Sequence, residues 1–308
     1  MFAPVASAAS AAEGLAGAVA HAHVGWLVAA VCLHVAGQLS RGFAWGAVLA
    51  AAWPDLSARR ACAWHVCGAG FTGVLSPRGG DLVRIGLAKR ELREASWPAL
   101  AGTLAVEGSF ELASGVVLML LAVGVGVGGL HAPPPALIAT LLLAGTVVAL
   151  LARRSRRLTR AVSELRRGLA AVRDPRRFIR QVLPWQIAGR LLRLASLGCF
   201  LCAFELPAAP AVIVAASVTQ GSGRMLPIPG AGTAAAAAAL LAILPVAAGH
   251  PVDASAVGAL AITQPAVLTL VGITLSLVLL TVLVGARTPR ALLSAARSLA
   301  PQPVGVKS

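Results

Sequence analysis

Charged residues are scarce in this sequence, and their scarcity excludes an ordinary water-soluble protein. Only 12% of the 308 residues are charged, whereas soluble domains carry about 25%. The chain has no tyrosine, and 58% of its residues are hydrophobic. Residues 254–286 contain no charged side chain, and residues 95–152 contain only Glu107 and Glu111. These stretches exceed the length of about 20 apolar residues that crosses a bilayer and lack the polar face of a soluble helix, so they predict transmembrane helices.

Acidic residues are outnumbered by basic ones, which gives a net charge of +15. Such a balance is typical of nucleic-acid-binding domains, but here the positive charge is concentrated in one segment. Residues 153–180 hold eleven arginines beside Glu164 and Asp174 and directly follow an apolar stretch. This pattern is typical of a cytoplasmic loop of a membrane protein. We therefore expect membrane lipids with anionic or polar head groups as partners, and no nucleic acid.

The sequence also lacks the patterns of metal and redox centres. Its six histidines show neither HExxH nor another ligand spacing, so we expect no metal and no other cofactor. Cys199 and Cys202 form a CxxC, but a redox motif is expected at a helix N-terminus, and this one lies late in an apolar segment. We interpret the five cysteines as small packing residues.

Apolar segments of two lengths alternate along the chain. Residues 61–77 and 211–223 are too short to cross a bilayer at about 1.5 Å per residue. The first runs into the sequence SPRGGD and the second into SGRMLPIPGAG, both rich in glycine and proline. Longer segments predict full spans within residues 22–53, 95–128, 136–152, 181–205 and 254–286.

Linker charge predicts which side of the membrane each end faces, because cytoplasmic linkers are enriched in Lys and Arg. On this basis segment 61–94 begins and ends in the cytoplasm, and segment 211–249 begins and ends outside. Each is predicted to be a re-entrant hairpin, although hydropathy alone also allows two ordinary spans. Two hairpins entering from opposite faces form an inverted repeat, in which transporters bind substrate where the broken segments meet. The basic linkers are 55–60, 78–94, 153–180 and 287–308, and the linkers without Lys or Arg are 129–135, 206–210 and 249–253.

The predicted fold class is therefore an all-α, polytopic transmembrane helical bundle in the plasma (inner) membrane, with two re-entrant broken-helix hairpins. Trp45 and Trp53 are expected at the membrane–water interface. The predicted divisions are an N-terminal tail 1–21, a first membrane repeat 22–128, a connecting transmembrane helix 129–152, a basic cytoplasmic loop 153–180, a second repeat 181–286 and a cytoplasmic tail 287–308.

Charged residues inside the membrane are costly and are expected to face a cavity or a charged partner. Glu107 and Glu111 lie four residues apart, so they share one face of a helix. Arg224 stands in the second interruption with no acid near it in sequence. We predict that Glu107 and Arg224 approach each other where the two hairpins meet. A purely structural ion pair is the alternative to a binding role.

The first interruption combines flexible backbone with fixed charge. Arg78 and Arg84 are candidates for binding a lipid phosphate, which arginine can contact with two hydrogen bonds. Asp81 is expected to pair with either arginine or to cap the helix that follows. A plain cytoplasmic turn is the alternative. The predicted backbone breaks at the two interruptions are Gly79, Gly80, Pro227, Pro229, Gly230 and Gly232.

At these residues the chain resembles the lysylphosphatidylglycerol synthase transmembrane-region family, and the likeness covers most of residues 22–286. The resemblance implies a protein that translocates or helps to process polar lipids. Two departures weaken any transfer of mechanism: Gly108 stands where the family often has arginine, and residues 233–239 contain only Thr and Ala where an acidic residue often follows. The matching blocks are Arg41 to Trp45, P-x-G-G-D-x-x-R at 77–84, the Glu107 region and P-x-P-G-x-G at 227–232.

We therefore expect a flippase-like protein that translocates or handles a polar lipid. Arg78, Arg84 and Arg224 would hold an anionic head group, while Glu107 and Glu111 balance them or bind a cationic one. One alternative is a membrane enzyme acting on a lipid-linked substrate, for which the sequence offers no nucleophile or metal cluster. Another is a non-catalytic membrane partner of a lipid-modifying glycosyl- or acyltransferase. No catalytic residue is predicted.

Overall fold

Helix is the only regular secondary structure in the part of the chain that the structure describes. The computed structural model describes residues 17–72, 79–124, 163–223 and 231–284, and no strand occurs among them. The predicted all-α class is confirmed. The main helices are α1 (Val24–Ala52), α2 (Ala58–Phe71), α3 (Gly79–Glu91), α4 (Trp97–Gly124), α5 (Pro175–Ala203), α6 (Pro210–Gly223), α7 (Ala231–Ala248) and α8 (Ala254–Val284).

Among these, α1, α4, α5 and α8 are long and apolar enough to cross a membrane. Helix α8 is the most apolar, with a mean hydropathy of 2.6 over its most apolar window, of which only 11% is buried. Its Leu270 and Val282 are 67% and 74% exposed, and continuous apolar surface of this kind is unusual on a water-soluble monomer. The four helices therefore support a membrane protein. The predicted span 136–152 lies outside the described residues.

Two pairs of shorter helices lie between the long ones in sequence. Helices α2 and α3 pack against each other, and so do α6 and α7. The 13 or 14 residues of α2, α3 and α6 extend only about 20 Å, less than the hydrocarbon core of about 30 Å. Each pair overlaps a segment that was predicted to be a hairpin, 61–94 or 211–249, and begins slightly before it, at Ala58 or Pro210.

Two glycines let α2 and α3 approach closely. A Cβ atom at Gly68 would lie 2.5 Å from the carbonyl oxygen of Gly80 and 2.9 Å from Cβ of Arg84. A Cβ atom at Gly80 would overlap the Gly68 carbonyl and the Thr72 hydroxyl. Gly79 and Gly80, predicted as part of a backbone break, form the first turn of α3. The glycines therefore serve the packing of the two helices here.

Helix α5 is preceded by a packed segment. Within the predicted basic loop 153–180, residues 163–168 form a short helix. Gly168 lies against the backbone of α4, and the Ser96 hydroxyl donates to the Glu164 carboxylate at 3.0 Å. Helix α5 itself contains one π-helical turn, Phe178–Val182. The described part of this loop is thus largely helical and partly docked on α4.

The described residues form two compact units, each named here after the helix pair that it contains. The core of the α2–α3 unit includes Trp45 and Leu100, and that of the α6–α7 unit includes Phe200 and Leu260, all 0% exposed. Each long helix contributes one end to each unit. The described residues of the α2–α3 unit are 38–72, 79–106, 163–185 and 269–284, and those of the α6–α7 unit are 17–37, 107–124, 186–223 and 231–268.

Candidate functional site

Arg84 carries a positive charge that the α2–α3 unit encloses almost completely. The residue lies on α3 and is 6% exposed. Its Nη2 donates to Oδ1 of Asp81 at 2.8 Å, and its Nη1 donates to Nδ1 of His65 at 2.8 Å. The guanidinium carbon lies 5.2 Å from the centre of the Trp45 ring, within the range of a cation–π contact. One acid, one imidazole and one indole therefore surround this charge.

The hydrogen bond from Arg84 determines the tautomer of His65. A guanidinium has only donors, so Nδ1 of His65 must accept, and the neutral ring carries its proton on Nε2. Because His65 is neutral, it adds no second positive charge beside Arg84. Trp45 is held in place by a hydrogen bond from its Nε1 to Oγ1 of Thr103 at 3.0 Å. The hydroxyl of Thr103 in turn donates to the Leu100 carbonyl at 2.7 Å.

Asp81 is the accessible member of this cluster. Its side chain is 44% exposed, whereas that of Arg84 is 8% exposed. Asp81 lies in the first turn of α3, where the partial positive charge of the helix N-terminus favours an anion. The negative charge thus lies at the surface of the unit with the guanidinium beneath it. An anion approaching Arg84 from this side would compete with Asp81.

A second arginine, half-buried, pairs with a partly exposed acid in the α6–α7 unit. Nη1 of Arg190 on α5 donates to Oε2 of Glu111 on α4 at 3.2 Å, and the two side chains are 16% and 31% exposed. Glu107, one turn before Glu111 on α4, is 2% exposed. The two carboxylates lie on one helix, as predicted.

Uncharged polar side chains are also buried in the α6–α7 unit. Gln186 lies one turn before Arg190 on α5 and is 2% exposed. On the other helices, Nε2 of Gln220 on α6 donates to Oε1 of Gln264 on α8 at 2.7 Å. Polar groups inside an apolar protein need hydrogen-bond partners. These amides therefore add uncharged polar positions to the charged ones of this unit.

The structure brings some of the predicted site residues together. Asp81 and Arg84 form the ion pair that the sequence predicted as one of the possible pairings of Asp81. Glu111 pairs with Arg190, which was not among the predicted site residues. Gly232 lies at the start of α7. The remaining predicted site residues, which lie outside the described residues, are Arg78, Arg224, Pro227, Pro229 and Gly230, so the predicted approach of Glu107 to Arg224 stays a prediction.

Three residues of these clusters were not predicted as site residues from the sequence. Trp45 was expected at the membrane–water interface, and its burial at 0% exposure under Arg84 was not predicted. His65 gave a usable signal, because it is the one histidine in the short apolar segment 61–77. Arg190 gave a stronger signal, since a charge within a predicted span needs a partner.

The described residues contain no group of three or more His, Cys, Asp or Glu side chains that could hold a metal ion. The five cysteines are free thiols. Cys199 and Cys202 lie near the C-terminal end of α5, whereas a reactive thiolate is favoured at a helix N-terminus. The CxxC therefore lacks this feature of a redox site.

Comparison of the chain with protein-family models, with curated proteins and with solved structures gives no match. The resemblance to the lysylphosphatidylglycerol synthase transmembrane-region family therefore rests on the sequence blocks quoted above.

Proposed function

We propose that this chain is a multi-pass protein of the plasma membrane that translocates or otherwise handles a polar lipid with an anionic head group. The observation that carries the proposal is the Arg84 cluster. A buried charge costs several kcal/mol unless it is paired, and hydrophobic residues in its place often stabilise a protein as well or better. A buried arginine whose acidic partner is 44% exposed favours a site at which one anion can replace another.

The groups around Arg84 suit a phosphate. A guanidinium offers two parallel donors to phosphate oxygens, and the nearby N-terminus of α3 adds partial positive charge. Asp81 would stay paired with Arg84 when no head group is bound, and its side chain would turn to solvent when a head group enters. The acyl tails of the lipid would stay in the bilayer. In the α6–α7 unit, Glu111 balances the charge of Arg190, an arginine that was not among the predicted site residues.

The order of the helices supports the proposed repeat. Helix α1 is followed by the short pair α2 and α3 and then by α4, and α5 is followed by the short pair α6 and α7 and then by α8. Each pair begins with a helix of 14 residues. If the span predicted at 136–152 crosses the membrane, the second set of helices is inverted relative to the first, as in many transporters.

The grouping of helix ends supports the proposed orientation. The C-terminal ends of α1 and α8 and the N-terminal ends of α4 and α5 belong to the α2–α3 unit. These are the ends that adjoin the basic linkers 55–60, 78–94, 153–180 and 287–308. Cytoplasmic ends are expected to carry this charge, so the α2–α3 pair is proposed to enter from the cytoplasm and the α6–α7 pair from outside.

Single-cysteine labelling tests this orientation. In a background without native cysteines, a cysteine at position 250 is expected to react with an impermeant reagent added from outside only. A cysteine at position 92, just after α3, is the matched control and is expected to react only from the cytoplasmic side. Labelling of position 250 from the cytoplasm would exclude the proposed inverted repeat.

Lipid identification tests the proposed function. The protein, purified in nanodiscs that contain equal parts of phosphatidylglycerol and phosphatidylcholine, is expected to retain the anionic lipid in native mass spectrometry. Arg84→Gln should lose most of this retention. Arg60→Gln is the control, since Arg60 pairs with Glu91 on the same two helices but is 62% exposed. Equal retention of both lipids by the unaltered protein would contradict the proposal.

A further inference from the structure

Two neighbouring residues of α5 carry buried donors that the described residues do not satisfy. Gln186 and Arg190 lie four residues apart and therefore on one face of the helix. Nε2 of Gln186 and Nε of Arg190 are both buried, and neither has a hydrogen-bond partner within the described part of the chain. Most buried N–H groups in folded proteins have a partner. Two such groups one turn apart indicate that this face binds something that accepts hydrogen bonds.

We propose that Gln186 and Arg190 form a second head-group site, in the α6–α7 unit, which binds the phosphodiester of a membrane lipid. This inference rests on the proposed function and extends it to a site that the sequence did not predict. The two unpaired groups, Nε2 of Gln186 and Nε of Arg190, are both donors, so a ligand that satisfies them must offer acceptors. The fixed charge of Arg190 makes an anionic acceptor the better ligand.

The pair formed by Arg190 and Glu111 resembles the pair formed by Arg84 and Asp81 in the relative exposure of its two members. In both pairs the arginine is the less exposed member, at 16% and 8%, and the acid is the more exposed one, at 31% and 44%. Glu111 would therefore act as the counter-ion that a lipid phosphate displaces. Each unit would then contain one such site.

The surroundings on α5 favour a lipid over free phosphate as the source of the anion. Ile187 and Leu191 directly follow Gln186 and Arg190 in sequence and are 45% and 60% exposed. Exposed apolar side chains on a membrane-crossing helix contact acyl chains. A lipid whose phosphate reaches Arg190 can keep its tails against these two residues, whereas inorganic phosphate gains nothing from them.

The decisive variant is Gln186→Leu, which removes the amide without removing a charge. Replacing a buried amide that has no protein partner by an apolar side chain is expected to leave the midpoint of thermal unfolding unchanged or raised. In the nanodiscs described above, the same variant is expected to retain about tenfold less phosphatidylglycerol, because one donor to a charged group is lost. The matched control is Gln181→Leu, which removes an exposed glutamine of the same helix that accepts a hydrogen bond from Arg177.

The outcomes separate this site from the site at Arg84. If Gln186→Leu folds and retains as much phosphatidylglycerol as the unaltered protein, while Arg84→Gln loses it, the second site is wrong and the proposed function stands. If neither variant loses lipid, both proposals are wrong. Loss in Gln186→Leu alone supports the second site and contradicts the role of Arg84.

Two further arms complete the test. If Gln186→Leu does not fold, Gln186→Met replaces it, because methionine keeps the length of the side chain and lacks the donor. Inorganic phosphate added in millimolar amounts is expected to leave the retained lipid in place. Displacement of phosphatidylglycerol by phosphate would overturn the assignment of the site to a lipid.

Discussion

Arg84 lies over the ring of Trp45, with its guanidinium carbon 5.2 Å from the ring centre. Trp45 belongs to α1 and Arg84 to α3, so this contact joins a long helix to the short helix pair. A cation over an indole is stabilised by about 2 kcal/mol or more when both groups are removed from water. The guanidinium contacts Trp45 through this ring contact and Asp81 through a separate hydrogen bond, so the indole would go on stabilising the cation while one anion replaces another.

The ion pair of Arg84 with Asp81 is expected to show a larger coupling than an exposed pair on the same helices. In a double-mutant cycle with Arg84→Gln and Asp81→Asn, the coupling in the free energy of unfolding should be about 1–3 kcal/mol. The control cycle uses Arg60→Gln and Glu91→Gln, an exposed pair expected to couple by less than about 1 kcal/mol. Unfolding in mixed micelles by titration with a denaturing detergent measures both cycles. Equal coupling energies in the two cycles would show that burial of Arg84 does not strengthen its interaction with Asp81.

Two glycine substitutions are expected to change the stability of the protein in opposite directions, because Gly68 lies where α2 packs closely on α3 and Gly108 lies in open space on α4. Gly68→Ala places a methyl group 2.5 Å from the Gly80 carbonyl oxygen, so it should destabilise the fold by about 1–3 kcal/mol through overpacking. Gly108→Ala on α4 meets no atom within 4 Å and should stabilise the helix by up to about 1 kcal/mol. The same detergent titration compares them. A tolerated Gly68→Ala would mean that α2 and α3 are farther apart than described.

The start of α8 predicts a dependence of stability on pH. The hydroxyl and backbone N–H of Ser255 donate to the Asp253 carboxylate at 2.6 and 2.9 Å, and these bonds hold the pKa of Asp253 below its ordinary value. Because the pKa of Asp253 is lower in the folded protein than in the unfolded chain, its carboxylate stabilises the fold at pH values above the ordinary pKa of about 3.9. This stabilisation is lost as the pH falls through the pKa of the folded protein. Asp253→Ala should therefore cost about 1 kcal/mol at neutral pH, as for a lost N-cap.

Asp253→Asn is the matched variant for this prediction. Asparagine keeps an oxygen that can accept from Ser255 but does not titrate, so the contribution of this position should no longer change with pH. Thermal unfolding at pH 7 and at pH 3 compares the three proteins. An Asp253→Asn protein with the same acid sensitivity as the unaltered protein would assign that sensitivity to other carboxylates.

The long helices were predictable because their cause lies in local sequence. Residues 254–286 contain no charge, and the helix observed there is Ala254–Val284. The short pairs were predictable for the same reason, since glycine and proline interrupt an apolar run too short to cross a bilayer. The close approach of α2 and α3 was not predictable, because Gly68 and Gly80 become neighbours only through packing. Among the described residues, the packing of 163–168 on α4 was also not predictable, because these residues lie in a basic segment that was expected to be a loop.

The site was predictable where its residues are near in sequence. Asp81 and Arg84 lie three residues apart, and a helix brings such positions together. Glu111 and Arg190 come from different helices, and each was visible only as a charge in need of a partner. The contact of Trp45 with Arg84 was not predictable, because tryptophan is favoured both at membrane interfaces and against cations. Composition alone does not separate these two roles.

The most direct test of the proposed function is lipid transport in reconstituted vesicles. The protein is inserted into vesicles that carry an anionic lipid with a fluorescent head group, and movement of this lipid between the leaflets is followed by quenching from outside. We predict that the unaltered protein and Arg60→Gln accelerate this movement over empty vesicles. Arg84→Gln, checked for an unchanged unfolding midpoint, is predicted to be slower by at least about tenfold, the factor that corresponds to 1.4 kcal/mol. A folded Arg84→Gln protein that moves the lipid at the unaltered rate would contradict the proposed role of Arg84, and an unaltered protein no faster than empty vesicles would contradict translocation itself.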